Sequence, residues 1–367
     1  MAEPQPTGIG RYLRELVRAL ATVVEDSDSI LLASTPEPAR PAWVPERIES
    51  HVVPWPRRVV QGAWCLGLGP RVERSIGRVD VVHLPHPFPP TPANASQVVT
   101  IHDTFPYEHP DWYPRSERWT YRRSVALAAR RARRLVVPSA YVGGRVAAMF
   151  EVDPDRIDVV PEGVSGTFLA PASGAEIEAV CARFGIAPRR FAICVGAIST
   201  RKNQLTLVRA AAKLSEKNFA LVLVGSSGYG ADAVEAELAR HDGRARVIRA
   251  GYLHEREMAV LVRVAAAVVH PALAEGFGLV PLEAMAAGTP VIASRSSSIP
   301  EVVGDAGVLV DEPAEPSAWA TALTSLIDDD DHRRSLAARG ERQAAKFSWQ
   351  RAAGRMLEVY RDAAGLP

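Results

Sequence analysis

The sequence predicts an α/β protein with parallel sheets, organised as two domains. Three observations predict it. Short apolar runs alternate with longer helical patterns along the whole chain. The runs are apolar on both faces, as strands are when helices cover a sheet on each side. The chain has 367 residues, long for one core and suited to two.

In the first half the expected strands are residues 30–33, 80–84, 98–101, 135–137 and 158–160. In the second half they are residues 191–195, 221–224, 246–248, 267–269, 290–293 and 308–310. Most are rich in Val, Ile and Leu between turn signals. A helix over residues 11–22 follows the glycine loop Thr7-Gly8-Ile9-Gly10. The join falls within residues 163–187, which gives domains 1–168 and 169–346. Residues 347–364 read as an amphipathic helix.

Composition narrows the function classes. Hydrophobic residues make up 47% and charged residues 23%, as in ordinary globular proteins. A net charge of +1 argues against a dedicated nucleic-acid binder. Cys65, Cys181 and Cys194 are scattered and show no metal-ligand spacing. No apolar run approaches the ~18 residues of a membrane span, and residues 1–6 are too polar for a signal peptide. The expectation is a cytoplasmic protein. Asp328-Asp329-Asp330-Asp331 lies between helices and is expected to cap the helix that starts near His332 rather than to hold a metal.

The most informative stretch is Ala274-Glu275-Gly276-Phe277-Gly278-Leu279-Val280-Pro281-Leu282-Glu283. Two glutamates flank a Gly-x-Gly turn, and Pro281 sits where a helix begins. Gly288 caps that helix and Thr289-Pro290 stops it. The motif is therefore a strand–loop–helix unit, with Glu275 on the loop and Glu283 in the first helical turn. Backbone N–H groups at such a helix start favour an anion.

This segment resembles the E-x7-E signature of family-4 retaining glycosyltransferases. The resemblance implies the GT-B fold, two Rossmann-like domains facing across a cleft, with the tail 347–367 returning to the first. It implies transfer of a hexose from a nucleotide-diphosphate sugar to a glycan or lipid-linked acceptor, without a metal or other cofactor. The resemblance extends from Thr7 to about Tyr360, and residues 101–114 look most like mannosyltransferases that build bacterial surface polysaccharides. Relatives carry a strand before the glycine loop, which residues 1–6, with two prolines, oppose. Either the true start lies upstream or the first sheet is incomplete. A missing N-terminal segment is the expectation, which expression with and without an upstream extension would test.

Glycosyl transfer needs a stabilised diphosphate, a held sugar and an aimed acceptor hydroxyl. Gly196 to Asn203 follows an expected strand and places Arg201 and Lys202 at a helix start, unfavourable unless an anion binds there. The resemblance makes these two cations the diphosphate clamp. It assigns Glu283 to the donor ribose hydroxyls and Glu275 to the donor sugar. It turns the backbone of Gly276, Phe277, Gly278 and Leu279 toward sugar and phosphates. His102 would contact the sugar hydroxyls, and Asp103 would orient His102 or the acceptor. Gly8 and Gly10 would approach the diphosphate or the acceptor, and the loop with Tyr252 and Leu253 would hold the base. The arginines 130, 131, 133 and 134 form a basic run that suits a solvated face or contact with anionic lipid at the inner face of a membrane. Two other readings stay open: a non-catalytic sugar-nucleotide-binding protein and a GT-B epimerase.

Overall fold

The computed structural model describes residues 8–34, 41–53, 62–64, 68, 70–87, 93–216 and 218–366. It consists of two compact units. One comprises Met1–Gly163 and Ser348–Pro367, and the other Val164–Phe347.

The first unit contains β1 (Leu31–Ser34) and β2 (Glu49–Val52), paired in parallel. A separate parallel sheet follows in the order β3 (Val81–Leu84), β4 (Ser96–Thr100), β5 (Arg134–Val137) and β6 (Ile157–Val159). Alternation along β4 and β5 sorts the core into two layers. Val98 and Val136 face the helices Gly8–Val23 and Trp349–Ala364. Val99, Leu135 and Val137 face the helices Arg115–Arg131 and Ala140–Phe150. The helix Gly8–Val23 serves both sheets. Tyr12, Leu16 and Leu20 pack on the layer over β4, while Leu13, Val17 and Ala21 pack with Leu32, Val44 and Ile48.

The second unit has one six-stranded parallel sheet. Its strands are β7 (Phe191–Val195), β8 (Ala220–Val224), β9 (Arg246–Gly251), β10 (Ala267–His270), β11 (Val291–Ser294) and β12 (Val308–Val310). They lie in the order β12-β11-β10-β7-β8-β9. Phe191, Ile193 and Val195 pack with Leu261, Leu282 and Met285 on one face. Ala192 and Cys194 pack with Leu207, Trp319 and Leu323 on the other.

The expected strands all form, within a few residues at their ends. β2 was not expected, because its sequence Glu-Ser-His-Val is polar and its side chains are not buried. β9 runs on to Gly251, three residues past its expected end. Gly8 and Gly10 open the helix Gly8–Val23 instead of forming a loop before it. Met1 to Thr7, on which the expectation of a missing strand rests, and Cys65 lie outside the described residues. Asp329 accepts the N–H of His332 at 2.8 Å and caps Asp330–Ala344. No helix among the described residues is long and apolar enough to cross a membrane.

The C-terminal helix starts with Ser348, whose hydroxyl accepts the N–H of Arg351 at 3.2 Å. Gly163 lies against this start. A Cβ there would stand 2.2 Å from the Trp349 backbone nitrogen. Gly163→Ala is expected to cost about 1–3 kcal/mol through forced displacement. Gly354→Ala, which meets nothing within 4 Å, is expected to gain about 0.5–1 kcal/mol by removing a helix-interior glycine. Thermal or urea denaturation of both variants checks the pair.

Candidate active site

The order of the second sheet fixes where a ligand can sit. The chain runs from β7 to β9 on one side and from β10 to β12 on the other. Open parallel sheets bind ligands beyond the carboxyl ends of their strands, where the order reverses. Here that place lies after β7 and β10. The loop after β7 carries Arg201 and Lys202, and the loop after β10 carries Glu275.

These three residues meet. Arg201 lies 3.2 Å from Glu275 Oε2, and Lys202 Nζ donates to Oε1 of the same carboxylate. His270, at the end of β10, brings Nε2 within 3.2 Å of Oε1. All four side chains are largely withdrawn from water. Burial raises the Glu275 carboxyl, but Lys202 and Arg201 outweigh it and hold it well below the usual carboxylate range. Burial lowers the Lys202 ammonium despite the Glu275 charge. Burial lowers His270 too, and the neighbouring cations add to the effect, so its ring is neutral. The anion that makes two cations tolerable before the helix Gln204–Ala212 is therefore this carboxylate.

Backbone contacts hold the loops in place. Arg201 donates to the Ala274 carbonyl at 2.7 Å, and Leu273 N–H donates to the Arg201 carbonyl at 2.8 Å. Ser297 Oγ accepts the Glu275 N–H at 2.7 Å, and Ser298 Oγ donates to the Glu275 carbonyl at 2.7 Å. Gly196 turns with φ +142°, and a Cβ on Gly225 would come within 2.1 Å of the Gly196 carbonyl oxygen. Ile198 and Ser227 form a bridge that joins the loops after β7 and β8.

Other expected residues take their places around this edge. The helix after Glu275 spans Leu279–Ala286. Glu283 is therefore its fifth residue, two residues deeper than a start at Pro281 would place it, and is 2% exposed. The helix starts earlier because Gly278, at φ +118°, supplies the turn that puts Leu279 at its first position and Pro281 at its third. Phe277 is buried in the core and packs on Phe347, so its backbone alone is available to a ligand. Tyr252 and Leu253 follow β9, with Leu253 buried.

In the first unit His102 lies two residues past β4. Its Nε2 is 2.9 Å from the Pro85 carbonyl, and its Nδ1 is 3.6 Å from Glu162 Oε1. Tyr12 meets the ring edge-on at 4.7 Å between centroids. Burial opposes charge on His102, but Glu162, the Pro85 carbonyl and Asp103 outweigh it and raise its pKa. The carboxylate paired with His102 is thus Glu162, which the sequence reading passed over. Asp103 Oδ1 instead accepts the Phe105 N–H at 3.3 Å. The signal for Glu162 was Pro161-Glu162-Gly163 directly after an apolar strand. His270 was likewise missed as a site residue, although it closes the strand before the motif.

The chain matches the family described as Glycosyl transferases group 1 over residues 182–343 and Glycosyltransferase Family 4 over residues 6–166. It is 27% identical to O-antigen chain mannosyltransferase B of Escherichia coli, over 97% of this chain and 96% of that one. It is 36% identical to the D-inositol 3-phosphate glycosyltransferase of Corynebacterium kroppenstedtii, over 63% of this chain and 54% of the relative, so that match spans about half the relative's length. Among solved structures it is similar to Anabaena Alr3699/HepE in complex with UDP and glucose, with a TM-score of 0.71 at 19% identity, covering 97% of this chain and 96% of that one. With one family match in each half of the chain and two Rossmann-like domains behind them, the chain belongs to family 4 of the glycosyltransferases and has the GT-B fold.

Proposed function

We propose that the protein is a retaining hexosyltransferase that moves mannose from a nucleotide-diphosphate sugar to a hydroxyl of a glycan or lipid-linked acceptor. The observation that carries this reading is the meeting of Arg201, Lys202 and Glu275 at the switch point of the second sheet. Arg201 and Lys202 are placed to take the negative charge that builds on a departing diphosphate. They supply the compensating positive charge themselves, so the reaction needs no metal in this reading. Glu275 is ionised at any working pH and serves as a fixed negative charge for the cationic anomeric carbon. It is not a proton donor. The acceptor attacks on the face the diphosphate leaves, and the leaving phosphate takes the acceptor's proton. Glu283 holds the ribose hydroxyls. The backbone of Gly196, Gly276, Phe277, Gly278 and Leu279 faces the sugar and phosphates, and that of Tyr252 and Leu253 faces the base. His102, with Asp103 beside it, orients the sugar or acceptor, and Gly8 and Gly10 add backbone N–H groups.

Mannose is favoured by the similarity to the O-antigen mannosyltransferase over nearly all of the chain. A nucleotide-sugar donor is favoured by the solved neighbour that holds UDP and glucose. Thermal stability against GDP, UDP, TDP and ADP should rise with one of them. A ligand at 100 times its dissociation constant adds about 2.7 kcal/mol. No shift with any nucleotide would overturn the donor assignment.

Glu275→Ala is expected to abolish transfer. Unchanged transfer would overturn the assignment of Glu275 to the site, whereas absence of transfer in the parent protein would favour the epimerase or binding-protein readings. The same carboxyl gives a pH signature. Its folded pKa lies well below the ordinary carboxylate value of 4.5, so its contribution to stability is complete above 4.5 and lost as pH falls toward the folded value. Glu275→Gln should therefore show a shallower loss of Tm below pH 4.5 than the parent protein.

We also propose peripheral contact with anionic lipid at the inner face of a membrane. Arg71, Arg130, Arg131, Arg133 and Arg156 line a cavity of about 670 Å³ at the amino ends of β4 and β5, with no carboxylate among its lining residues. Arg134 does not belong to it, because it pairs with Asp158 at 2.8 and 2.9 Å. Liposomes containing phosphatidylglycerol should pellet the protein at low salt and release it at high salt. A protein that stays in the supernatant at low salt rules the contact out.

A further inference from the structure

We propose that Glu162 is a positioning residue that keeps His102 doubly protonated and fixed in orientation, so that the first unit presents a lasting positive charge at the carboxyl end of β4. Its effect on transfer rests on the glycosyltransferase reading above. The pairing itself does not.

The ring has no choice of proton positions. Pro85 offers a carbonyl, which only accepts, so the Nε2 that lies 2.9 Å away carries hydrogen. Glu162 offers a carboxylate 3.6 Å from Nδ1, which calls for a second proton there. Glu162 is 5% exposed, and among the described residues His102 is its ion-pair partner. A carboxylate so withdrawn from water is costly unless paired. The pairing therefore favours the charged form of His102.

The surroundings leave this arrangement uncontested. His83 lies on the neighbouring β3, and among the described residues no carboxylate forms an ion pair with it. Its Nε2 meets Thr100 Oγ1 at 2.8 Å and its Nδ1 meets the Tyr360 hydroxyl at 2.6 Å. Burial, with the charge of His102 added, pushes His83 down to about 3, so it stays neutral. Tyr12 lies edge-on to His102, and burial raises its hydroxyl pKa, so it too is uncharged. Asp103, next in the chain, adds negative charge but turns one oxygen to Phe105 N–H. Two histidines 19 positions apart thus hold opposite charge states, and the difference is Glu162.

The consequence for transfer follows from the sign. His102 is raised above 6.5, so its charged form prevails below its folded pKa and is lost as pH rises through it. With Nε2 bonded to Pro85 and Nδ1 facing Glu162 at ion-pair distance, His102 acts through its fixed charge and ring position and not by exchanging a proton with substrate. Glu162 sets how far up the pH scale that charge survives.

The test is a histidine-labelled NMR titration of the full chain, with His102 assigned by its absence in His102→Asn. His102 should titrate above 6.5 in the parent protein. In Glu162→Gln its midpoint should fall by ~1 pH unit or more, and the alkaline limb of kcat should fall by the same interval. Glu162→Asp should restore both in part, which a purely structural role does not predict. An unchanged His102 midpoint in a folded Glu162→Gln, or in Glu162→Ala should Glu162→Gln fail to fold, overturns the proposal. Absence of donor turnover in the parent protein would instead overturn the functional reading, and the titration would still decide the pairing.

Discussion

The parallel pairing of β7 with β10 is the constraint on which the second unit depends. Ala192 and Ile193 pair with Ala267 and Val268 at the centre of the sheet. Both strands are wholly buried, so their register is set by the core on both faces and cannot slip without exposing it. Their carboxyl ends emerge side by side, and residues 73 positions apart are brought to one point. Glu275 is buried there beside two cations. Leaving any one of these charges alone in that environment would be costly, and the three together satisfy one another. The sheet thus holds a charged cluster that no local sequence preference would assemble.

The first unit applies the same principle with different groups. A buried carboxylate, Glu162, follows β6, and its cation, His102, follows β4. In both units the charges ride on loops at the carboxyl edge of a parallel sheet. In both, one member of the cluster is kept in its charged form by the other. The sense of the perturbation differs. In the second unit the carboxylate is the group held firmly ionised, whereas in the first it is the imidazole.

Much of this could be read from the sequence, and the parts that could not share a cause. Strands such as Phe191–Val195 and Val308–Val310 were legible to the residue, because an apolar run between turn signals has one physical use in such a chain. β2 was not, since its polar side chains stay partly in water and only its backbone pairing with β1 defines it. The motif around Glu275 was legible because its glycines, proline and carboxylates lie within ten residues. The placement of Glu283 was off by two residues because Gly278, not Pro281, sets the helix start. The pairing of His102 with Glu162 spans 60 positions, and neither residue carries a periodic or compositional mark of the other. Long-range pairing of single charges is what a sheet creates and what a linear pattern does not display.

Two further residues show how firmly the second site is built. Asn203 and Ser297 adopt φ values of 55° and 48°, which side chains other than glycine rarely take. Such conformations cost on the order of 1–3 kcal/mol each and persist only where other contacts impose them. Asn203 donates to the Pro271 and Pro313 carbonyls at 3.2 and 2.7 Å, which ties the loop after β7 to the loops after β10 and β12. Ser297 accepts the N–H of Glu275 itself. Each strained residue therefore sits beside the charged cluster and makes the contact that places it. Glycine would relieve the strain at either position, but it would lose the side chain that fixes the neighbouring loop. The strain and the side chain together keep Arg201, Lys202 and Glu275 in register.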